Sequence, residues 1–238
     1  MKQSKCYLLI GNSRWHWAIK AKGIWNYFHT PPNNTNVTTI HENLWTWASV
    51  GDIPQNIRLN PFKEIQIKNI PLANLPSWLG IDRALGSWEA YEQAKIQGLH
   101  SKGILMADAG TILSITKITA EGKFDGGQLI PGLDLQRKSI ATKAFKINDP
   151  KNYYIPKKIF PTSTEEAILR GSFQSLIGVL IEAQKESNLP IWLCGGDSEI
   201  LFNSLKNHVK IIHSPNLVLE AMTKINIETH SIPRSLKI

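Results

Sequence analysis

One pattern occurs twice in this chain and sets most of what it can fold into. An apolar run, Tyr7-Leu8-Leu9-Ile10, breaks into Gly11-Asn12-Ser13-Arg14, and a second β-like run follows from Trp15. About a hundred residues on, Gly103-Ile104-Leu105-Met106-Ala107 breaks into Asp108-Ala109-Gly110-Thr111, followed by Ile112–Ile118. Strand, tight turn with glycine and hydroxyl, returning strand: written twice, this specifies a duplicated clamp for an anion. Glycine lets the backbone approach closely, and exposed N–H groups with Ser, Thr or Asn side chains supply aimed donors. Arg14 adds a guanidinium, which pairs well with phosphate. The copies differ at one position. Asp108 stands two residues before its glycine, where the first copy has Leu9.

The rest of the pattern is alternating α/β. Strands are expected at Tyr7–Ile10, Trp15–Lys20 and Ile24–Phe28, loop at 29–39, a short helix at Glu42–Val50 and a short strand at Ile65–Ile67. A helix is expected from about Gly80-Ile81-Asp82-Arg83 to a stop at Gly98. In the second half, strands are expected at Gly103–Ala107, Ile112–Ile118, Phe124–Ile130, Pro190–Cys194 and Val209–His213. Helices are expected at Leu133–Thr142, from Ser163-Thr164-Glu165-Glu166 to about Ser187, and at Asn216–Ile225. Ser163-Thr164 would cap the longest helix, and its acidic first turn suits the dipole. Residues 143–162 read as a long loop. Two halves, 1–99 and 100–238, are expected, with a ligand cleft between them.

A third turn, Cys194-Gly195-Gly196-Asp197, follows an apolar strand and opens a helix, where the dipole favours an anion or a nucleotide edge. Gly80-Ile81-Asp82-Arg83 is a separate constellation. A carboxylate can take the proton of an alcohol nucleophile, and the adjacent arginine can hold an anionic substrate. Its plain structural alternative is an aspartate at a helix start beside a solvated arginine. No Gly-x-x-x-x-Gly-Lys-Ser/Thr loop occurs.

Together these motifs resemble the type III pantothenate kinases, members of the actin-like ATPase and sugar-kinase superfamily. That family's pattern is an early Asp-x-Gly-Asn-Ser/Thr-Arg, then Gly-x-Asp-Arg, Asp-x-Gly-Thr and Gly-Gly-x-x-x-Pro-Gly, a Thr-bearing helix start and a late Gly-Gly. Here they correspond to Leu9–Arg14, Gly80–Arg83, Asp108–Thr111, Gly126–Gly132, Ser163-Thr164 and Gly195-Gly196. The resemblance implies an α/β fold of duplicated ribonuclease H-like (actin-like ATPase) domains with a central cleft. It implies ATP-dependent phosphorylation of pantothenate, the first step towards coenzyme A, in a cytoplasmic homodimer. Asp82 would be the catalytic base, and Gly80, Ile81, Asp82, Arg83 and Thr164 the pantothenate site. ATP would meet Leu9, Ile10, Gly11, Asn12, Ser13, Arg14, Trp15 and His16, together with Thr111, Gly195 and Gly196. Mg²⁺ would accompany ATP, and Asp108 would lie at a monovalent cation, K⁺ or NH₄⁺. Leu9 departs from the family pattern, because leucine cannot coordinate a cation. A binding protein of accessory or regulatory role therefore stands as the alternative, and a kinase of another small alcohol as a third reading.

Composition narrows the alternatives. The net charge is +8, but the basic residues are scattered and no helix carries a basic stripe, so nucleic acid is not the expected partner. A basic surface suits anionic small substrates equally well. The apolar run after the basic start is about five residues, short of a secretory core of about 7–15, and no run reaches the about 18 that span a bilayer. Neither export nor a membrane is expected. Cys6 and Cys194, each in or beside an apolar run, are expected to be reduced core residues.

Overall fold

The computed structural model describes residues 5–32, 44–55, 57–144, 149–150 and 154–227. The chain forms two compact units. The first comprises Met1–Pro71, Leu75–Leu85 and Val218–Ile238; the second comprises Leu72–Asn74 and Gly86–Leu217.

In the first unit, β1 (Cys6–Ile10), β2 (Trp15–Ala21), β3 (Ile24–Thr30) and β4 (Leu44–Ser49) form a sheet in the order β3-β2-β1-β4. β1 runs antiparallel to β2 and parallel to β4. Every residue of β1 is buried, which is why it reads as a continuous apolar run rather than an alternation. Cys6, Leu8 and Ile10 join Trp15, Trp17, Leu44, Trp47 and Ile57 in a core. Two of its indoles find partners for their N–H groups: Trp17 Nε1 donates to Thr30 Oγ1 (3.1 Å) and Trp47 Nε1 to the Asn60 carbonyl (2.8 Å). Lys22 and Gly23 both have positive φ, +51° and +86°. This two-residue turn matches the twist of the β2–β3 hairpin and fixes its register.

Two expectations fail here. Glu42–Val50 is not a helix: Leu44–Ser49 is the strand β4, and Glu42 itself lies outside the described residues. The run Leu-Trp-Thr-Trp suits a pleated surface, and pairing with the free edge of β1 outweighs its helical reading. Ile65–Ile67 is not a strand either. Pro61–Lys63 and Ile67–Asn69 are 3₁₀ turns, and one bridge, Trp47 to Glu64, is all the pairing that forms there. The expected loop at 29–39 begins after β3, which extends to Thr30; residues 33–39 lie outside the described residues.

The second unit repeats the plan. β5 (Ile104–Ala109), β6 (Ile112–Ile118), β7 (Phe124–Pro131), β8 (Ile191–Cys194) and β9 (Ile211–His213) are ordered β7-β6-β5-β8-β9. Again the central strand is antiparallel to the next in sequence and parallel to a later one. The described helices are α1 (Ile81–Ile96), α2 (Leu133–Lys143), α3 (Thr164–Ser187), α4 (Ser198–Leu205) and α5 (Leu217–Lys224). α3 buries Ile168, Leu169, Ser172, Phe173, Leu176, Ile177 and Leu180, one face of a 3.6-residue period. Ser163 Oγ accepts from Glu166 N–H at its start, a cap of about 1 kcal/mol. α1 begins in the first unit and continues from Gly86 in the second. There the half-buried Gln93 accepts from Trp192 Nε1 (3.1 Å) and donates to Glu89 (3.1 Å). The chain leaves α1 through Gly98 at φ +67°, as its stop signal requires. Of the long loop expected at 143–162, residues 145–148 and 151–153 lie outside the described residues.

Candidate active site

In the first unit, the turn between β1 and β2 is closed by Gly11 N–H donating to the Arg14 carbonyl (3.0 Å). A side chain at Gly11 would sit 2.7 Å from that oxygen, so the turn needs glycine. The C-terminal end of β4 folds against it. Val50 and Gly51 N–H both donate to the Ile10 carbonyl (2.9 and 3.2 Å), and a Cβ at Gly51 would be 2.5 Å from the Gly11 oxygen. Sequence reasoning missed Ser49–Gly51, although a lone glycine closing the Trp-Thr-Trp-Ala run was a signal. Residues Leu9 to His16 thus lie on one turn and its flanks. Leu9 is 6% exposed, set between His16 on β2 and Ala48 on β4.

Val50 also approaches the start of α1, where its side chain lies 3.8 Å from a Cβ built on Gly80. The half-buried Asp82 carboxylate folds back over that glycine: the same Cβ would be 2.6 Å from Asp82 Oδ1. Arg83 N–H donates to Asp82 Oδ1 (2.7 Å). Burial raises the Asp82 pKa above the ordinary aspartate value, against the opposing pull of this N–H and of the Arg83 guanidinium. Burial likewise lowers the Arg83 pKa, with Asp82 opposing. The result is a carboxylate that holds a proton more readily than usual, beside a buried cation. Such a pair can accept a proton from an alcohol and hold an anion.

In the second unit, Asp108 on β5 pairs in register with Ser114 and Cys194. It is the counterpart of Leu9, since each stands two residues before its turn glycine on the central strand. Asp197 N–H donates to the Ala109 carbonyl (2.9 Å), repeating the bond from Val50 and Gly51 to Ile10. Gly195 has φ +95°, and a Cβ there would strike the Asp108 carboxylate and lie 2.5 Å from the Ala109 oxygen. Gly132, which caps α2, donates to the Thr111 carbonyl (2.9 Å). Asp108, Thr111, Gly195 and Gly196 are therefore drawn to one end of the β5–β8 pair. Beside them a cavity of about 490 Å³ is lined by Gly196, Asp197, Glu199, Ile200, Asn203 and Ser204. Its carboxylates and amide suit the hydroxyl and amino groups of a nucleoside. Thr164 is exposed as the first residue of α3 in the same unit. Both cysteines are buried and neither is in a disulfide, and burial pushes the Cys6 thiol up to about 12.

Among the described residues no three His, Cys, Asp or Glu side chains are grouped to hold a metal ion. A divalent ion that binds through one carboxylate and substrate phosphates would still fit beside Asp108. Leu9 offers it nothing.

The sequence pattern of the family described as type III pantothenate kinase matches residues 61–186. A type III pantothenate kinase of Synechococcus elongatus is 30% identical over 246 aligned residues, covering 93% of this chain and 96% of that protein. Among solved structures, a protein from Campylobacter jejuni designated a Baf family transcriptional activator superposes with a TM-score of 0.62 at 18% identity, covering 92% of this chain and 96% of that one. A protein from Sinorhizobium meliloti designated a 2-dehydro-3-deoxygalactonokinase does so with a TM-score of 0.56 at 12% identity, with the same coverages. These likenesses, with the repeated strand order, establish the fold as the duplicated ribonuclease H-like type of the actin-like ATPases and sugar kinases.

Proposed function

Because the chain belongs to the type III pantothenate kinase family, we propose that it transfers the γ-phosphoryl group of ATP to the hydroxyl of pantothenate. The observation that carries this reading is Asp82: a carboxylate at a helix start whose proton affinity is raised by burial, beside Arg83. In the proposed step Asp82 accepts the hydroxyl proton while the alcohol oxygen bonds to the γ-phosphorus. ADP departs with the electron pair of the broken P–O bond. Gly80, Ile81, Arg83 and Thr164 hold pantothenate, with Arg83 on its carboxylate. The turn from Leu9 to His16, with Thr111, receives the ATP phosphates, and Gly195-Gly196 with the adjoining cavity receives the nucleoside. Asp108 is the carboxylate that would hold Mg²⁺ accompanying ATP, which would offset charge on the phosphates, or a monovalent cation. Exposed Leu129, Leu135, Ile140 and Ile181 support a homodimer. A panel of small alcohols with ATP, Mg²⁺ and K⁺ tests the substrate. Pantothenate is expected to exceed other acceptors in kcat/KM by about 10² or more, because a site built to hydrogen-bond its substrate rejects analogues strongly. Equal rates across the panel would sink the assignment.

Leu9 favours a second reading, a binding protein of this fold without turnover. Leu9→Asp separates the two. On the kinase reading the parent turns over and the variant gains less than about threefold, while losing about 2–3 kcal/mol of stability from a polar group placed in a buried apolar position. A parent that binds ATP without turnover, and a variant that becomes active, would favour the binding protein.

A further inference from the structure

The first turn lacks a carboxylate, but it has a pair of imidazoles. His16 on β2 and His29 on β3 are register partners, and their Nδ1 atoms are 2.8 Å apart. The rings meet edge to face with centroids 4.7 Å apart. The Nε2 edge of His16 lies over the turn, 3.1 Å from where a Gly11 Cβ would be. His29 is exposed and lines a cavity of about 310 Å³ with Ser13, Arg14, Thr30 and Pro31. The groups acting on His16 are His29 and Arg14, and Arg14 acts on His29. Leu9 and Ala48, next along the same register, carry no titratable group.

A shared Nδ1–H···Nδ1 bond constrains the two rings together. One ring donates its Nδ1 proton, so when neutral its Nε2 is bare. The other accepts at Nδ1, so its Nε2 carries a proton. The neutral pair therefore presents one outward donor and one outward lone pair. Adding a single proton converts the lone pair into a second donor without breaking the shared bond.

The geometry points to the His16–His29 pair as a proton-coupled anion receptor of the first turn, acting with Arg14 on the phosphate oxygens of ATP, with His29 as the residue that positions His16. This rests on the kinase reading for the identity of the anion. In the free protein both pKa values are lowered, His16 to about 4, by burial first and then by the neighbouring charges, so the pair is neutral near pH 7. A bound polyanion stabilises the protonated pair and raises its pKa. Between the free and bound values, each ATP bound takes up as much as one proton. Affinity then strengthens as pH falls, by up to about tenfold per pH unit.

Titration calorimetry of the full chain with ATP, from about pH 5.5 to about pH 8 in buffers of different ionisation enthalpy, reads the protons directly. The variants are His29→Asn, whose amide can still donate to His16 Nδ1 but cannot titrate, and His29→Phe, which does neither. The parent is expected to take up more protons per ATP than His29→Asn at the acid end, a difference that cancels the nucleotide's own titration. His29→Asn is expected to match the parent at pH 8, and His29→Phe to bind about tenfold more weakly there, as for a lost bond to a charged group. Equal proton uptake in the parent and both variants overturns the inference and leaves the kinase reading intact. A parent that does not bind ATP overturns both.

Discussion

Asp82→Asn is expected to lower turnover by about 10²–10⁴-fold, the usual contribution of a positioned general base, and to leave the protein as stable as the parent or more so at neutral pH. The asparagine carbonyl can still accept from Arg83 N–H, so the bond that orients the side chain is retained. What disappears is the capacity to take a proton. The stability half follows from linkage. Burial raises the carboxyl pKa in the folded protein, so the folded state binds this proton more tightly than the unfolded chain does. The resulting stabilisation is complete below the unfolded aspartate value and is lost as pH rises through the folded one. Above its folded value the ionised, half-buried Asp82 is therefore a liability that asparagine removes. The same shift places the acid limb of the parent's pH–rate profile above an ordinary aspartate value, and Asp82→Asn should flatten that limb. Initial rates and thermal unfolding at pH 7 check both halves. A variant that loses activity together with stability would mark Asp82 as structural.

Two adjacent glycines should behave in opposite ways. Gly195→Ala is expected to cost about 2–4 kcal/mol and to weaken ATP binding strongly. Alanine at φ +95° is strained, and its methyl would displace the Asp108 carboxylate or the Ala109 carbonyl, opening the β5–β8 end where the second turn is built. Gly196→Ala meets nothing within 4 Å and should change stability by less than about 0.5 kcal/mol. Denaturant unfolding of the pair, with ATP binding, reads the contrast. Equal losses would mean that the glycines serve flexibility rather than close approach.

Both turns were legible in the sequence because each joins an apolar central strand to its neighbour, so pattern and pairing are local. α3 was legible for the same reason, with its cap and acidic first turn adjacent in sequence. β4 was not, because its pairing with β1 crosses more than thirty residues and Glu42 ahead of an aromatic run also reads as helical. Gly51 could not be placed at the first turn without that pairing. The His16–His29 contact was within reach. Lys22-Gly23 is a two-residue hairpin turn, and counting back from it sets the two histidines opposite each other. A lysine before the glycine, in place of the usual Asn or Asp, hid the signal. Asp82 was legible as a residue type at a helix start, but its raised proton affinity comes from burial, which no local pattern carries.

The claim that the chain is a working kinase is tested most directly by incubating purified protein with pantothenate, ATP, Mg²⁺ and K⁺ and identifying the products by mass. The account predicts 4′-phosphopantothenate and ADP in equal amounts from the parent, and a loss of about 10²-fold or more in Asp82→Asn. Absence of phosphopantothenate at saturating ATP, or equal formation by both proteins, would contradict it.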